Sequence, residues 1–326
     1  MSRTVRDDGD WLAAAARLAS RGRPLSRPNP AVGCIVVRDG VVVGRGWTQP
    51  GGRPHAEAVA IEQAGAKARG ATVYVTLEPC AHQSARGPSC TDVLLAAGPA
   101  RVVVAEIDPD SRTDGAGIAR LRAGGVMVDH LPCAEARGSL AGFLTRQHLG
   151  RPHVTLKLAI SLDGCIALAD GTSRWITGEE ARAHVHSRRA MADAILVGGR
   201  TWRTDRPRLD VRLPGLGDRS PERMVLTRGD APAGTRAIAS PAGISALEGV
   251  QYLYVEGGAN VAGAFLAEDL VDRLEIYRAP LVIGDGLRAI GALAIADLPG
   301  AHGRWHLAER RQLGSDCFEA YARTRN

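Results

Sequence analysis

Lysine is almost missing from this chain. Of 41 basic residues only Lys67 and Lys157 are lysines, and the rest are arginines. Aromatic residues make up only 4%, which removes the stacking platform that readers of single-stranded nucleic acid depend on. No long run of basic residues occurs either. The formal charge of +6 is scattered, and it suits a phosphate-bearing small molecule as well as a nucleic acid. No apolar run approaches the ~20 residues of a membrane-spanning helix, so no membrane partner is expected. The N-terminal segment does not read as a secretory leader, because Asp7, Asp8 and Asp10 stand where a leader is basic. A cytoplasmic location is expected. There the six cysteines, Cys34, Cys80, Cys90, Cys133, Cys165 and Cys317, do not form a disulfide framework. Most are expected to be small buried apolar residues.

What is present is an alternation of helix and strand over 326 residues, enough for two domains. The segment DWLAAAARLASRG reads as a helix capped by Asp10 and ending at Gly22. AVGCIVVRDGVVVGRGW reads as a hairpin turning at Asp39-Gly40. A helix with Pro54 at its first position, the strand ATVYVTLEP, a helix over 91–97 and the strand RVVVAEI follow. After DPDSRTDGAG come a further helix and the strand VMVDH. A boundary falls at RQHLGRP, dividing the chain into 1–146 and 152–326. Beyond it the pattern restarts with HVTLKLAIS, the helix TGEEARAHVHSRRAMA, and the strands AILVGG, RMVLT and QYLYVEGG. The helix NVAGAFLAEDL and the strand RLEIYRAPLVIG complete it. The Ala/Gly/Pro-rich stretch 229–249 reads as a surface connection. The whole is an α/β layer pattern.

One pair stands out against this background. His55 and Glu57 lie two residues apart at a helix start, a spacing that does not face both side chains the same way. Something outside the helix must gather them. Cys80 and Cys90 follow in Pro-containing loop segments. One imidazole and two thiolates suit tetrahedral zinc, with a fourth position left for water, as in a catalytic site. Glu57 then serves as the proton shuttle. The order matches the H-x-E and P-C-x-x-C signature of zinc nucleobase deaminases, with a longer gap between the cysteines. The competing reading is a structural zinc with His82 as fourth ligand, or unconnected core thiols.

Longer stretches carry a resemblance. NPAVGC at 29–34, HAE at 55–57, VTLEPCAH at 75–82 and GPSC at 87–90 resemble the bifunctional riboflavin-biosynthesis deaminase/reductase family. So do LKLAISLDGCIA at 156–167, SRWIT at 173–177, AILVGGRTWRTDRPRL at 194–209, VEGGANVAGAFL at 255–266 and APLVIG at 279–284. The resemblance implies an α/β protein. A cytidine-deaminase-like three-layer α/β/α domain is followed by a dihydrofolate-reductase-like α/β domain. It implies zinc-dependent deamination of a pyrimidine ribose 5′-phosphate, then NADPH reduction of ribosyl to ribityl. It places zinc on His55, Cys80 and Cys90, and substrate on Asn29, with Arg86 standing for the customary basic contact. In the second half it implies NADPH contacts at Ala159, Trp175, Thr201, Asp205, Gly258, Ala259, Asn260, Val261, Ala262, Gly263 and Ala264. Substrate contacts fall at Ser173, Arg189, Leu209, Arg212 and Glu256. The family is often oligomeric, and a homo-oligomer is expected.

Lys157 has two readings. It faces the reductase cleft and polarises the substrate, or it snorkels from a strand end. The chain departs from the family pattern at Thr48, where histidine is usual. It also departs at Cys165, where a basic residue is common, and at Arg206, where Asp or Asn is common. These departures keep two alternatives in view: a related fused enzyme with another pyrimidine substrate or an impaired deaminase, and a basic zinc-stabilised nucleic-acid binder.

Overall fold

Capping sets where the first helix begins. In the computed structural model, which describes residues 7–82, 86–295 and 297–325, helix α1 spans Asp8–Ala19. Its N-cap is Asp7, not Asp10. The Asp7 carboxylate accepts from the Asp10 N–H at 2.8 Å, and the Asp10 carboxylate accepts from the Asp7 N–H at 3.3 Å. Asp10 is thus the return partner of a capping box, three residues inside the helix.

The chain divides into two units, Met1–Gly150 and Arg151–Asn326. In the first, β1 (Gly33–Arg38) and β2 (Val41–Trp47) form the expected hairpin. Asp39 and Gly40 both have positive φ, 51° and 72°, which suits the right-handed strand twist. Then come α2 (Ala56–Ala64), β3 (Thr72–Val75), α3 (Cys90–Ala97), β4 (Arg101–Val104), α4 (Ala116–Ala123), β5 (Met127–His130), α5 (Ala134–Ser139) and α6 (Ala141–Leu149). The sheet order is β2-β1-β3-β4-β5. β1 is antiparallel to both neighbours, and β3, β4 and β5 are parallel.

Alternating strand residues bury two faces. Ile35, Val37, Tyr74 and Val103 pack under α1 and α5. Cys34, Val36, Val73, Val75, Val102 and Val104 pack under α2, α3, α4 and α6. This is the expected three-layer α/β/α arrangement. The seat of α2 depends on β2 glycines. A Cβ at Gly44 would stand 2.1 Å from the Ala60 oxygen, and one at Gly46 would stand 2.2 Å from the Ala56 oxygen. Only residues without a side chain let the helix lie this close to the strand.

The second unit is built on an eight-stranded sheet, order β10-β9-β8-β11-β6-β12-β15-β14. Its elements are β6 (His153–Ile160), β7 (Cys165–Ala167), α7 (Glu179–Arg189), β8 (Ala194–Gly198), α8 (Gly199–Asp205), β9 (Glu222–Leu226), β10 (Arg236–Ile238), β11 (Tyr252–Val255), α9 (Ala259–Ala267), β12 (Arg273–Arg278), β13 (Leu287–Arg288), β14 (Trp305–Leu313) and β15 (Asp316–Arg323). β13 and β7 pair separately. The first six strands in the sheet order are parallel, and β15 and β14 add an antiparallel edge. One face carries α9 over Leu156, Leu158, Leu196 and Val255. The other carries α7 over Ile195, Val197, Tyr254 and Tyr277.

Several expectations change here. The stretch 229–249 is not only a surface connection. It holds β10 and a 3₁₀ turn, and Ile244 and Leu247 are fully buried in the core. Strand β12 ends at Arg278, so the APLVIG segment that follows directly is not part of it. The C-terminal hairpin β14–β15 has no periodic signal in β14, because an edge strand leaves most of its side chains in water. Among the described residues no helix is long and apolar enough to cross a membrane.

The start of β6 is tied to the start of β12 by a buried ion pair. Asp272 accepts from Arg151 Nη1 at 2.7 Å, from Arg151 Nη2 at 3.0 Å and from the Val154 N–H at 2.8 Å. Asp272→Asn leaves Arg151 buried without its countercharge. It should destabilise the second unit by roughly 3–5 kcal/mol, read as a lower urea midpoint with the m-value unchanged.

Candidate functional site

His55 is not inside α2. It is the N-cap, with extended backbone (φ −71°, ψ 163°), and the helix starts at Ala56. Pro54 therefore precedes the helix rather than opening it. This resolves the two-residue spacing: His55 projects from an extended residue and Glu57 from the first helical turn. Cys80 lies in the loop after β3, and Cys90 is the first residue of α3. His55 Nδ1 stands 3.2 Å from Cys90 Sγ and 3.6 Å from Cys80 Sγ. The three donor atoms all lie within 4.8 Å of one another. His82 is not in this group, so among the described residues no fourth protein ligand completes a structural zinc site. An imidazole nitrogen and two sulfurs at this separation fit zinc with one position open.

Charge in the group is tightly linked. Hydrogen bonds from the Cys90 thiol, from His55 and from the Cys90 backbone N–H hold the Cys80 thiol down at about 4 against its burial. Such a thiolate is a ready metal ligand. Glu57 is 3% exposed. Burial pushes its carboxyl up to about 7, with His55 opposing and the Cys80 thiolate reinforcing.

His55, Glu57 and Cys80 line one cavity of about 370 Å³. Asn29 and Arg86 line it too. The Asn29 amide stands 3.1 Å from His55 Nε2, and Arg86 donates to the Gly51 carbonyl at 2.8 Å. Thr48 is buried in the wall, where its hydroxyl accepts the Val32 N–H at 3.0 Å. The segment 108–112 also lines the cavity, which the sequence reading treated only as a connection. Glu78 holds it there by accepting the N–H groups of Asp108, Gly115 and Ile118 at 3.3, 2.9 and 3.0 Å. A usable signal was its position after β4, since ligands of parallel sheets bind at the C-terminal strand ends.

The second unit gathers part of its expected set. Arg189, at the end of α7, makes a two-pronged bond to Glu256, with Nε to Oε1 at 2.6 Å and Nη2 to Oε2 at 3.0 Å. Lys157 Nζ lies 3.8 Å from Glu256 Oε2. Lys157 sits mid-strand under α7, so the strand-end reading does not apply. Thr201 Oγ1 lies 3.8 Å from where a Cβ on Gly258 would stand, and Gly258 caps α9. Asp205 ends α8, and Ala159 is half-buried in β6.

Other members lie apart. Ala259 and Asn260 occupy the first turn of α9, whereas Val261 and Ala262 are core residues of that helix and Gly263 is buried beside Gly291. Ala264 is half-buried one residue further on. Leu209 is buried at φ 55°. Ser173 and Trp175 lie on an exposed loop. Arg212 is exposed and rests on His186.

Residues 5–106 match the family model of the cytidine and deoxycytidylate deaminase zinc-binding region. Residues 152–239 and 245–318 match the RibD C-terminal domain. The molecule is thus a deaminase domain fused to a reductase domain. Riboflavin biosynthesis protein RibD of Escherichia coli is 37% identical over 95% of this chain and 97% of its own length. That of Mycobacterium tuberculosis is 39% identical over 89% of this chain and 90% of its own. A solved structure of Acinetobacter baumannii RibD superposes with a TM-score of 0.84 at 34% identity, covering 98% of this chain and 99% of that one. The Thermotoga maritima structure is titled diaminohydroxyphosphoribosylaminopyrimidine deaminase/5-amino-6-(5-phosphoribosylamino)uracil reductase. It gives 0.87 at 29% identity, covering 97% of this chain and 99% of that one. The chain belongs to the RibD family, the bifunctional deaminase/reductases of riboflavin biosynthesis.

Burial opposes the charge on Glu256, but Arg189 and Lys157 overcome it and hold the carboxyl at about 2, against an ordinary 4.5. Its ionised form therefore stabilises the fold fully above pH 4.5, and that contribution falls away as the pH drops toward 2. It amounts to on the order of 3 kcal/mol. Glu256→Gln should be less stable at neutral pH and show a flatter loss of stability across that acid window, measured by urea unfolding at stepped pH.

Proposed function

We propose that this chain deaminates 2,5-diamino-6-ribosylamino-4(3H)-pyrimidinone 5′-phosphate in its first unit, and with NADPH reduces the product's ribosyl group to ribityl in its second. The observation that carries the first step is the convergence of His55, Cys80 and Cys90 on one point of a cavity that also holds buried Glu57. Zinc on these three ligands supplies a Lewis acid that makes water nucleophilic near neutral pH. Glu57 takes a proton from the attacking water and delivers it toward the departing amine, so that ammonia leaves and a carbonyl remains. Asn29, at the cavity wall beside His55, orients the pyrimidine.

For the second step the ribosylamine would open to an imine; bound NADPH would supply the hydride to its carbon, and the imine nitrogen would take a proton from solvent. The first turn of α9 offers backbone N–H groups to a cofactor phosphate, with Thr201 beside it. Lys157, in ion-pair contact with Glu256, is placed to polarise the substrate, and Arg189 orients that carboxylate. The partner is a small molecule, the acting form a homo-oligomer, and the location cytoplasmic.

Mass spectrometry of the zinc-loaded protein with the diaminopyrimidinone ribotide tests this reading. Deamination should occur without NADPH and reduction only with it; no product of either kind would overturn the assignment. Glu57→Gln should lower the deamination kcat by roughly 10²–10⁴-fold while leaving reduction of supplied deaminated intermediate intact. Cys90→Ser should lower bound zinc well below one equivalent per chain, measured by metal analysis after dialysis, with reduction again retained.

A further inference from the structure

The deaminase cavity is lined by three arginines, Arg53, Arg86 and Arg112. Two are turned onto backbone carbonyls: Arg86 donates to Gly51 at 2.8 Å and Arg53 to Pro88 at 3.4 Å. Arg112 differs. Its Nε lies 2.9 and 3.1 Å from the two Asp110 carboxylate oxygens, and Nη2 also donates to Asp110. The Arg112 backbone N–H donates to the same carboxylate at 3.0 Å. Asp110 is itself fixed, since its N–H donates to Asp108 Oδ1 at 3.0 Å. The pair thus uses the Nε/Nη2 edge of the guanidinium and leaves Nη1 without a hydrogen-bond partner among the described residues, on a side chain that is 66% exposed.

Two further observations point to an anionic ligand here. The carboxylates of this wall are already engaged, Glu78 by three backbone N–H groups, Asp108 by the Asp110 N–H and Asp110 by Arg112. His82 lines the same cavity, and its Nδ1 is buried without a hydrogen-bond partner among the described residues.

We propose that Arg112, aimed by Asp110, receives the 5′-phosphate of the deaminase substrate and sets its preference for phosphorylated over unphosphorylated pyrimidine ribosides. This rests on the function proposed above. A guanidinium fork matches phosphate geometry with paired N–H bonds, and a carboxylate behind it fixes its plane. Asp110 is a positioning residue. The simpler role for the pair, tying a turn between residues two apart, affects every substrate alike and so separates from phosphate recognition by experiment.

The full zinc-loaded chain is assayed for deamination of the ribotide and of the same compound lacking its phosphate. Arg112→Ala should raise the ribotide KM about tenfold or more, with kcat changed by less than about twofold and no KM penalty on the unphosphorylated riboside. Arg112→Lys should recover part of the loss, because charge returns without the fork. Asp110→Asn should give an intermediate rise in ribotide KM. Inorganic phosphate should compete with the ribotide in the parent chain and compete more weakly in Arg112→Ala. An unchanged ribotide KM in Arg112→Ala overturns the proposal, and so does an equal penalty on both substrates. If the parent chain deaminates neither compound, the function proposed above fails first, whatever Arg112 does.

Discussion

At His55 the chain is still extended, and one residue later it is helical. The rest of the deaminase site depends on that change of backbone. An extended residue turns its imidazole off the helix end toward the loops after β3, while Glu57, in the first helical turn, is carried into the interior. Were His55 inside the helix, the two side chains would diverge around the cylinder. The change is in turn anchored by packing. Gly44 and Gly46 let α2 settle on β2, and this fixes where the helix begins. From the other side, Cys90 opens α3, and its N–H reaches Cys80 Sγ at 3.3 Å. Backbone, loop and helix start thus converge on one point, and the donor atoms need little rearrangement to share a metal.

The second unit solves another problem, holding charge beneath a helix. Along β6 the residues Val154, Leu156, Leu158 and Ile160 fill one core, so Lys157 falls on the opposite face. That face also carries Glu275 from β12, fully buried and bonded to Arg188 and Arg273. Glu256, just past β11, joins Arg189 and Lys157. Buried charge is tolerated only when paired. Each carboxylate here has at least one cation beside it, which leaves a paired polar layer running from the middle of β6 and β12 to the end of β11. Removing one partner costs stability because it strands the other's charge, although well-packed apolar groups in place of the whole set could hold the fold as well.

Much of this was legible in the chain itself. The hairpin at Asp39-Gly40, the α/β alternation and the end of α3, which Gly98 caps at φ 64°, follow from turn and cap chemistry that acts over a few residues. So does the candidate metal donor set, because His, Cys and Cys carry a preference for zinc wherever the fold brings them together. The less legible parts share one feature. Asp7 rather than Asp10 caps α1, because either aspartate can start a helix and the reciprocal bond selects the first. The edge strand β14 shows no alternation, because most of its residues face water. Ile244 and Leu247 sit in a stretch of loop composition yet complete a core.

Sequence alone thus determined the layer class, the two-part organisation, the donor set for a metal and the kinship that names the reaction. These rest on periodicity, ligand chemistry and long ordered runs of identity. Tertiary structure decided which face Lys157 occupies, that Thr48 serves the wall of the cavity, and that Asp110 and Arg112 belong to the site at all. Each of those depends on register, helix seating or a loop held by Glu78 from far along the chain. Contacts between residues distant in sequence leave no local pattern, so only the folded chain displays them.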